Sequence, residues 1–265
     1  LEREETCARK LRITGKGRCN VTNDCAPEDA LKSITRNARF LHSAMAAFPP
    51  ASVMDFFEGL GVPLKTERGN RVFPVSDRAG DIAEALLAEA KRLGGRFRRL
   101  RVRSIRTEDG AVSGVSGEGG EADCAALILC TGGLSYPKTG STGDGYRLAE
   151  ALGHTVTETS PSLVPLTSPD PDCAAMQGLS LKNVTLRLLD ARGKVKYSAL
   201  GEMQFTHFGV TGPLVLSASA HMRDFGADRY RLEIDLKPGL TPEKLDERLL
   251  RDFAENKNRT FRNAL

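Results

Sequence analysis

Apolar residues recur along this chain at two different periods. Ile82, Leu86, Leu87, Ala90 and Leu93 share one face at helical spacing, with Lys91 and Arg92 in the last turn and Gly94-Gly95 as the stop. Val53, Phe56, Phe57 and Leu60 predict a shorter helix ending at Gly61, and Tyr146, Ala149 and Leu152 another closed by Gly153. Thr241 as N-cap and Pro242 at the first helical position open a last helix carrying Leu245, Leu249 and Phe253. Between these helices, Leu100, Val102 and Ser104 alternate with Arg99, Arg101 and Arg103, the pattern of a strand with one inward and one charged face. Ala125 to Cys130 is a continuous apolar run, which predicts a strand covered on both faces and puts Cys124 and Cys130 among small buried hydrophobes. The texture changes after residue 156: Pro161, Pro165, Pro169 and Pro171 cluster. Alternation over Val184 to Leu189 and Tyr230 to Leu236 then predicts antiparallel structure. The pattern is that of an α/β protein with a boundary near 157 and a second change, to helix, near 240.

Composition narrows this only slightly. Of 265 residues, 40% are hydrophobic and 27% charged, which excludes a disordered, collagenous or coiled-coil chain. The balance of 38 basic and 34 acidic residues leaves +4, too small to mark a nucleic-acid protein without a clustered patch. The basic stretch Lys91, Arg92, Arg96, Arg98, Arg99, Arg101, Arg103 and Arg106 covers a helix end, a loop and an alternating strand face, so a solvated surface is its simpler reading. No run approaches the length of a membrane span. Leu1 to Glu5 contains neither an initiator Met nor the apolar core of an export signal, so the chain reads as the interior of a longer sequence, in a reducing cytoplasm. Its six cysteines form no C-x-x-C pair and its four histidines are scattered, so no zinc pattern emerges.

Three clusters could carry chemistry. In the first, Thr14 to Asn23, Gly15 and Gly17 allow close backbone approach, Arg18 supplies a planar cation, and Asn20 and Asn23 can donate and accept. That set suits an anionic heteroaromatic ligand better than the alternative of a tight turn with exposed polar groups. It is not a Walker loop, because Gly15-Lys16 is followed by Gly17. The second, Thr131 to Gly145, follows the apolar run and holds five glycines among hydroxyl residues. Loops at the carboxyl ends of α/β strands bind ligands, and free N–H groups ahead of a helix favour phosphate. The third, Gly201 to Pro213, places His207 beside two aromatics; a lone histidine is more often structural than catalytic. No catalytic acid or base is assigned.

Taken together, Gly17-Arg18-Cys19-Asn20-Val21-Thr22-Asn23, Arg71-Val72-Phe73-Pro74, Thr131 to Tyr146, and Thr206-His207-Phe208-Gly209 with Gly212-Pro213 resemble a bacterial family of FAD- or NAD(P)/FAD-dependent oxidoreductases, with aminoacetone-oxidase-like and bile-acid-reductase-like members. The resemblance implies a doubly wound, Rossmann-like FAD-binding domain with an inserted β-barrel-like domain and a small helical part, over residues 1–156, 157–239 and 240–265. It implies that Glu2 accepts from the adenosine ribose hydroxyls and that the Val102 backbone meets the adenine. Arg18, Cys19 and Asn20 would lie along the flavin, and Thr131, Gly132 and Gly133 would face the diphosphate and ribityl chain. Ser135, Tyr136, Gly140, Ser141, Gly143, Asp144 and Gly145 would wrap the flavin. Two positions depart from the family pattern within the matching motifs, Lys16 in place of glycine and Cys130 in place of alanine. The family's opening G-x-G-x-x-G strand and its closing flavin segment have no counterpart, so the chain resembles an internal fragment, expected to hold FAD weakly or not at all by itself.

The function this implies is a cytoplasmic flavoenzyme moving hydride between FAD and a small organic substrate, with NADH or NADPH as the electron partner and no membrane or nucleic-acid role. A cofactor that carries the hard chemistry explains why no catalytic triad or acid pair stands out. The competing reading is a non-catalytic nucleotide- or RNA-binding module on the same fold, recognisable by a steep salt dependence.

Overall fold

The computed structural model describes residues 1–226, 229–258 and 260. They fall into two compact units, Leu1–Thr157 and Glu158–Leu265. The last residues of the expected helical part, 259 and 261–265, lie outside the described set.

The first unit runs α1 (Arg9–Ile13), β1 (Thr22–Asn23), α2 (Pro27–Lys32), α3 (His42–Ala47), α4 (Pro50–Gly59), β2 (Leu64–Glu67), β3 (Arg71–Pro74), α5 (Ala79–Arg92), β4 (Arg101–Glu108), β5 (Ala111–Glu118), β6 (Gly120–Asp123) and α6 (Asp144–Glu150). Two antiparallel three-stranded sheets result, in the orders β1-β3-β2 and β4-β5-β6. Parallel pairing is represented by one bridge, Glu2 beside Arg99, where the Glu2 N–H donates to Arg98 O at 3.1 Å and the Leu100 N–H to Glu2 O at 2.9 Å.

Helix α5 forms as its spacing predicts. Ala79, Ile82 and Ala83 are buried, Asp81 sits in the first turn, and Lys91 and Arg92 sit in the last, each charge complementing the helix dipole. The Gly94 N–H returns to Lys91 O and the Gly95 N–H to Ala90 O, so the glycines end the helix and leave Leu93 exposed. Cys19, Phe57, Val62, Ala79 and Ile82 form a core beneath sheet β1-β3-β2.

The run Ala125–Cys130 overturns its expectation. It is not a strand, Ile128 is 85% exposed, and Cys130 is exposed instead of buried. A strand is stable only when neighbours take its backbone groups, and from Ala125 to Tyr136 no backbone N–H donates a hydrogen bond among the described residues.

The second unit runs β7 (Leu166–Thr167), α7 (Pro171–Ala175), β8 (Ser180–Asp190), β9 (Val195–Thr206), β10 (Gly209–Thr211), α8 (Pro213–Ser219), β11 (Tyr230–Asp235) and α9 (Pro242–Glu255). Its five strands form one curled antiparallel sheet, in the order β11-β8-β9-β10-β7, with register shifts in β8. Alternation in β8 buries Val184, Leu186 and Leu188 against Met203, Phe205 and the α8 residues Leu214, Val215 and Ala218. Each such leucine contributes roughly 1.5–3 kcal/mol when fully buried. Thr241 caps α9 as predicted, its hydroxyl accepting from the Lys244 N–H. Among the described residues no helix is long and apolar enough to cross a membrane.

Candidate cofactor site

In the first unit a cavity of about 370 Å³ opens between the N-terminal segment and the chain leading into the second glycine-rich loop. Leu1, Glu2 and Arg3 with Leu100, Arg101 and Val102 form one side, Leu127 to Gly132 another, and Thr139, Gly140, Ser141, Asp144 and Leu148 complete the lining. It therefore gathers Glu2, Val102, Thr131, Gly132, Gly140, Ser141 and Asp144 from sequence positions more than a hundred residues apart. One carboxylate oxygen of Glu2 accepts from the Glu4 N–H at 3.0 Å; its other oxygen has no partner among the described residues.

The loop Thr131–Gly145 is held by side chains that no local signal announces. Arg3 Nη1 donates to Thr142 Oγ1 at 2.8 Å and to Asp144 Oδ2 at 3.0 Å, and Lys10 Nζ donates to Ser135 Oγ at 3.0 Å. Gly132 has φ 74°, and a methyl group there would lie 2.6 Å from Ser141 Oγ; one on Gly145 would lie 2.4 Å from Thr131 Oγ1. The two ends of the loop thus approach closely enough that a side chain at either position would force the Ser141 or Thr131 hydroxyl to turn away. Gly133 lies inside the loop, its carbonyl accepting from the Gly143 N–H at 3.2 Å. Tyr136 is 67% exposed and borders a second groove instead of the cavity.

Arg18, Cys19 and Asn20 do not line the cavity; they are tied into sheet β1-β3-β2. The Arg18 guanidinium lies over the Phe73 ring, 4.1 Å from its centre, and donates to Glu67 and, at 2.8 Å, to Asp77 Oδ1. Lys65 Nζ completes the network, 2.7 Å from Asp77 and 3.6 Å from Glu67. The Arg18 bond holds the Glu67 carboxyl below its ordinary range, and the Lys65 bond followed by that of Arg18 does the same for Asp77. Burial pushes the Cys19 thiol up, against a smaller opposing bond from Thr14. With its amide turned so that nitrogen faces carbonyls, Asn20 donates to Thr22 O at 3.0 Å and Val72 O at 3.3 Å. Lys16 has φ 60° and Cys19 φ 61°, so the departure from glycine at 16 is accommodated with left-handed strain.

In the second unit, His207 is exposed at the turn between β9 and β10, with its ring edge-on to Phe208 at 5.0 Å. Thr206 Oγ1 beside it is buried and has no hydrogen-bond partner among the described residues.

Comparison with known proteins matches residues 1–218 to the HI0933-like protein Rossmann domain. The chain belongs to the HI0933-like family. That agrees with the Rossmann-like fold its motifs imply. It is 30% identical over 242 residues to a 3-dehydro-bile acid delta(4,6)-reductase of Clostridium scindens, covering 90% of this chain and 58% of the relative. It is also 30% identical to ribosomal RNA dihydrouridine synthases of Escherichia coli, over 240 residues (89% of this chain, 58% of the relative), and of Haemophilus influenzae, over 243 residues (89% and 57%). The chain thus spans less than three-fifths of the length of the curated relatives it matches.

Within this HI0933-like chain, Arg3 and Lys10 are the residues that sequence reading missed. Each meets its loop partner across 125 or more positions, and the only hint was their closeness to Glu2.

Proposed function

We propose that this chain forms the FAD-binding part of a cytoplasmic flavoenzyme that reduces a carbon–carbon double bond in the ring of an organic substrate. The observation that carries the reading is a convergence on one cavity: the unpartnered Glu2 oxygen and the undonated N–H groups of Leu127 to Gly132 border the same space. A carboxylate oxygen suits ribose hydroxyls, a row of amides suits a diphosphate, and the apolar wall from Leu100 and Leu127 to Leu129 suits a planar ring. These residues fit a flavin dinucleotide. Bound FAD would supply hydride chemistry. The chain's part is to hold the ribose through Glu2, position the loop through Arg3 and Lys10, and keep Gly132 and Gly145 small so that backbone reaches the ligand.

The reaction class draws on the relatives, since a delta(4,6)-reductase and a dihydrouridine synthase both, by name, add hydrogen to a ring. NADH or NADPH is the proposed electron source, and a small organic molecule the proposed substrate. A ring carried on RNA is the second reading, favoured by the two relatives that are named ribosomal RNA dihydrouridine synthases.

The test is a flavin titration of the chain, followed by anaerobic reduction of the bound flavin with each nicotinamide. Saturable quenching of flavin fluorescence only at protein in large excess, and bleaching of the flavin band, are expected. Flavin that stays free in solution at millimolar protein sinks the reading.

A further inference from the structure

The polar side chains around the cavity of the first unit divide by whether the chain itself supplies their partners. Arg3 pairs with Asp144 at 3.0 Å, Arg9 pairs with Glu4, and Arg101 reaches Glu118 at 3.7 Å. Ser141 is different. It borders the cavity and is only 5% exposed, yet among the described residues its hydroxyl neither donates nor accepts a hydrogen bond. Its N–H has no backbone acceptor either. Gly132 keeps the hydroxyl uncovered, since a methyl group there would lie 2.6 Å from Ser141 Oγ. A buried polar group without a partner is rare in a folded chain and marks a place where something else completes the bond. Lys10, which also borders the cavity, is the second case. Its ammonium donates to the neutral Ser135 hydroxyl at 3.0 Å and forms no ion pair among the described residues. The hydroxyl fixes the position of that charge without neutralising it. The undonated N–H groups of Leu127 to Gly132 border the same space. Hydroxyl, ammonium and amides share one property: each can donate to an oxyanion.

We infer that Ser141 and Lys10 hold a phosphate of the ligand seated in this cavity, Ser141 through its hydroxyl and Lys10 through its charge. The inference rests on the cofactor reading above and goes beyond it, because the resemblance puts Ser141 at the flavin ring and the loop contact gives Lys10 only a positioning role. A phosphate offers several acceptor oxygens and a negative charge, so it takes bonds from all three kinds of donor, and bonds to a charged acceptor are the strong ones. A neutral ring in the same place would leave the Lys10 charge unanswered. Glu2 sets the direction of the ligand. Its free carboxylate oxygen accepts from hydroxyls and repels anions, so the ribose turns towards Glu2 and the phosphates away from it.

The experiment titrates the full chain with adenosine and with ADP by calorimetry, at low and at high salt. ADP adds only the phosphates and is expected to bind more tightly than adenosine. Ser141→Ala is expected to weaken ADP roughly ten- to a hundredfold and to leave adenosine unchanged. Lys10→Gln is expected to weaken ADP at low salt, with the gap from the unaltered chain closing as salt screens the charge, and Lys10→Arg to restore binding. The urea midpoint of each variant separates a lost contact from a lost fold. Equal affinity for ADP and adenosine overturns the assignment, as does ADP that stays free at millimolar protein. An ADP affinity indifferent to Ser141→Ala means that water alone meets the hydroxyl, and an equal loss of both ligands means that Ser141 only supports the fold; either result overturns it too. A Lys10→Gln gap that persists at high salt returns Lys10 to holding the loop and removes it from the phosphate. FAD is titrated beside ADP on the same proteins. FAD bound with indifference to both residues removes this inference alone, whereas ADP bound through both residues by a chain that does not take FAD removes the flavoenzyme reading alone.

Discussion

The loops Thr14–Asn20 and Thr131–Gly145 are written in the same vocabulary of glycine, hydroxyl and cation, yet the fold spends them differently. In the first, Arg18 is neutralised by Glu67 and Asp77 and stacked on Phe73, Asn20 faces the carbonyls of Thr22 and Val72, and Cys19 is 4% exposed. The side chains of Thr14, Arg18 and Asn20 have protein partners. In the second, Arg3 and Lys10 fix the loop from outside while the amides entering it donate to nothing among the described residues. Composition marks both as places where backbone and ligand can approach. Only the supply of partners distinguishes a loop that is closed on itself from one left open to a ligand.

The largest expected effect tests the closed loop. Phe73 is 3% exposed beneath Arg18, so Phe73→Ala should lower unfolding free energy by about 3–5 kcal/mol. Urea denaturation measures it, and flavin affinity of the folded fraction should change less than threefold. A larger change in affinity would mean that the two loops build one site. Glu2→Gln tests the open side. Losing a charged acceptor costs about 1.5 kcal/mol, so flavin affinity should fall roughly tenfold, while the urea midpoint moves little. A shift confined to stability would return Glu2 to a purely structural role.

Lys16→Gly should be stabilising. It removes left-handed strain of about 1–2 kcal/mol and gives back part of it to the flexibility of the unfolded chain, a net gain of about 0.5–1 kcal/mol by thermal melting. A loss would show that the Lys16 side chain makes a contact that offsets its strain. The smallest effect concerns acid. Glu67 and Asp77 have folded pKa values below the ordinary 4.5 and 3.8, so the stability they contribute is present above those values and is lost as pH falls through the folded ones. Below about pH 4.5 the melting temperature should therefore decline, and the double change Glu67→Gln and Asp77→Asn should flatten that decline. The partners are half-exposed, so salt should weaken the effect.

Much of the fold was legible because its signals are local. Helix α5 declares itself through Ile82 and its glycine stop, α9 through Thr241 and Pro242, and β8 through the alternation of Val184, Leu186 and Leu188. The cavity was legible in part, since Glu2, Val102, Thr131, Gly132, Gly140, Ser141 and Asp144 all line it. Arg3 and Lys10 were not, because their partners are set by the fold and not by spacing. Ala125–Cys130 misled for a related reason: an apolar run specifies what a segment needs, a cover on both faces, and says nothing of whether a neighbour provides it.

That exposure makes Cys130 a reporter built into the chain. All six thiols are unpaired, but Cys19 and Cys173 are buried, whereas Cys130 is exposed on the cavity wall one residue before Thr131. A thiol-directed dye will meet Cys130 in the open, and a molecule seated in the cavity will stand between them. The rate of labelling at this one sulfur therefore converts occupancy of the cavity into a kinetic signal, readable by peptide mass without colour, turnover or knowledge of the ligand.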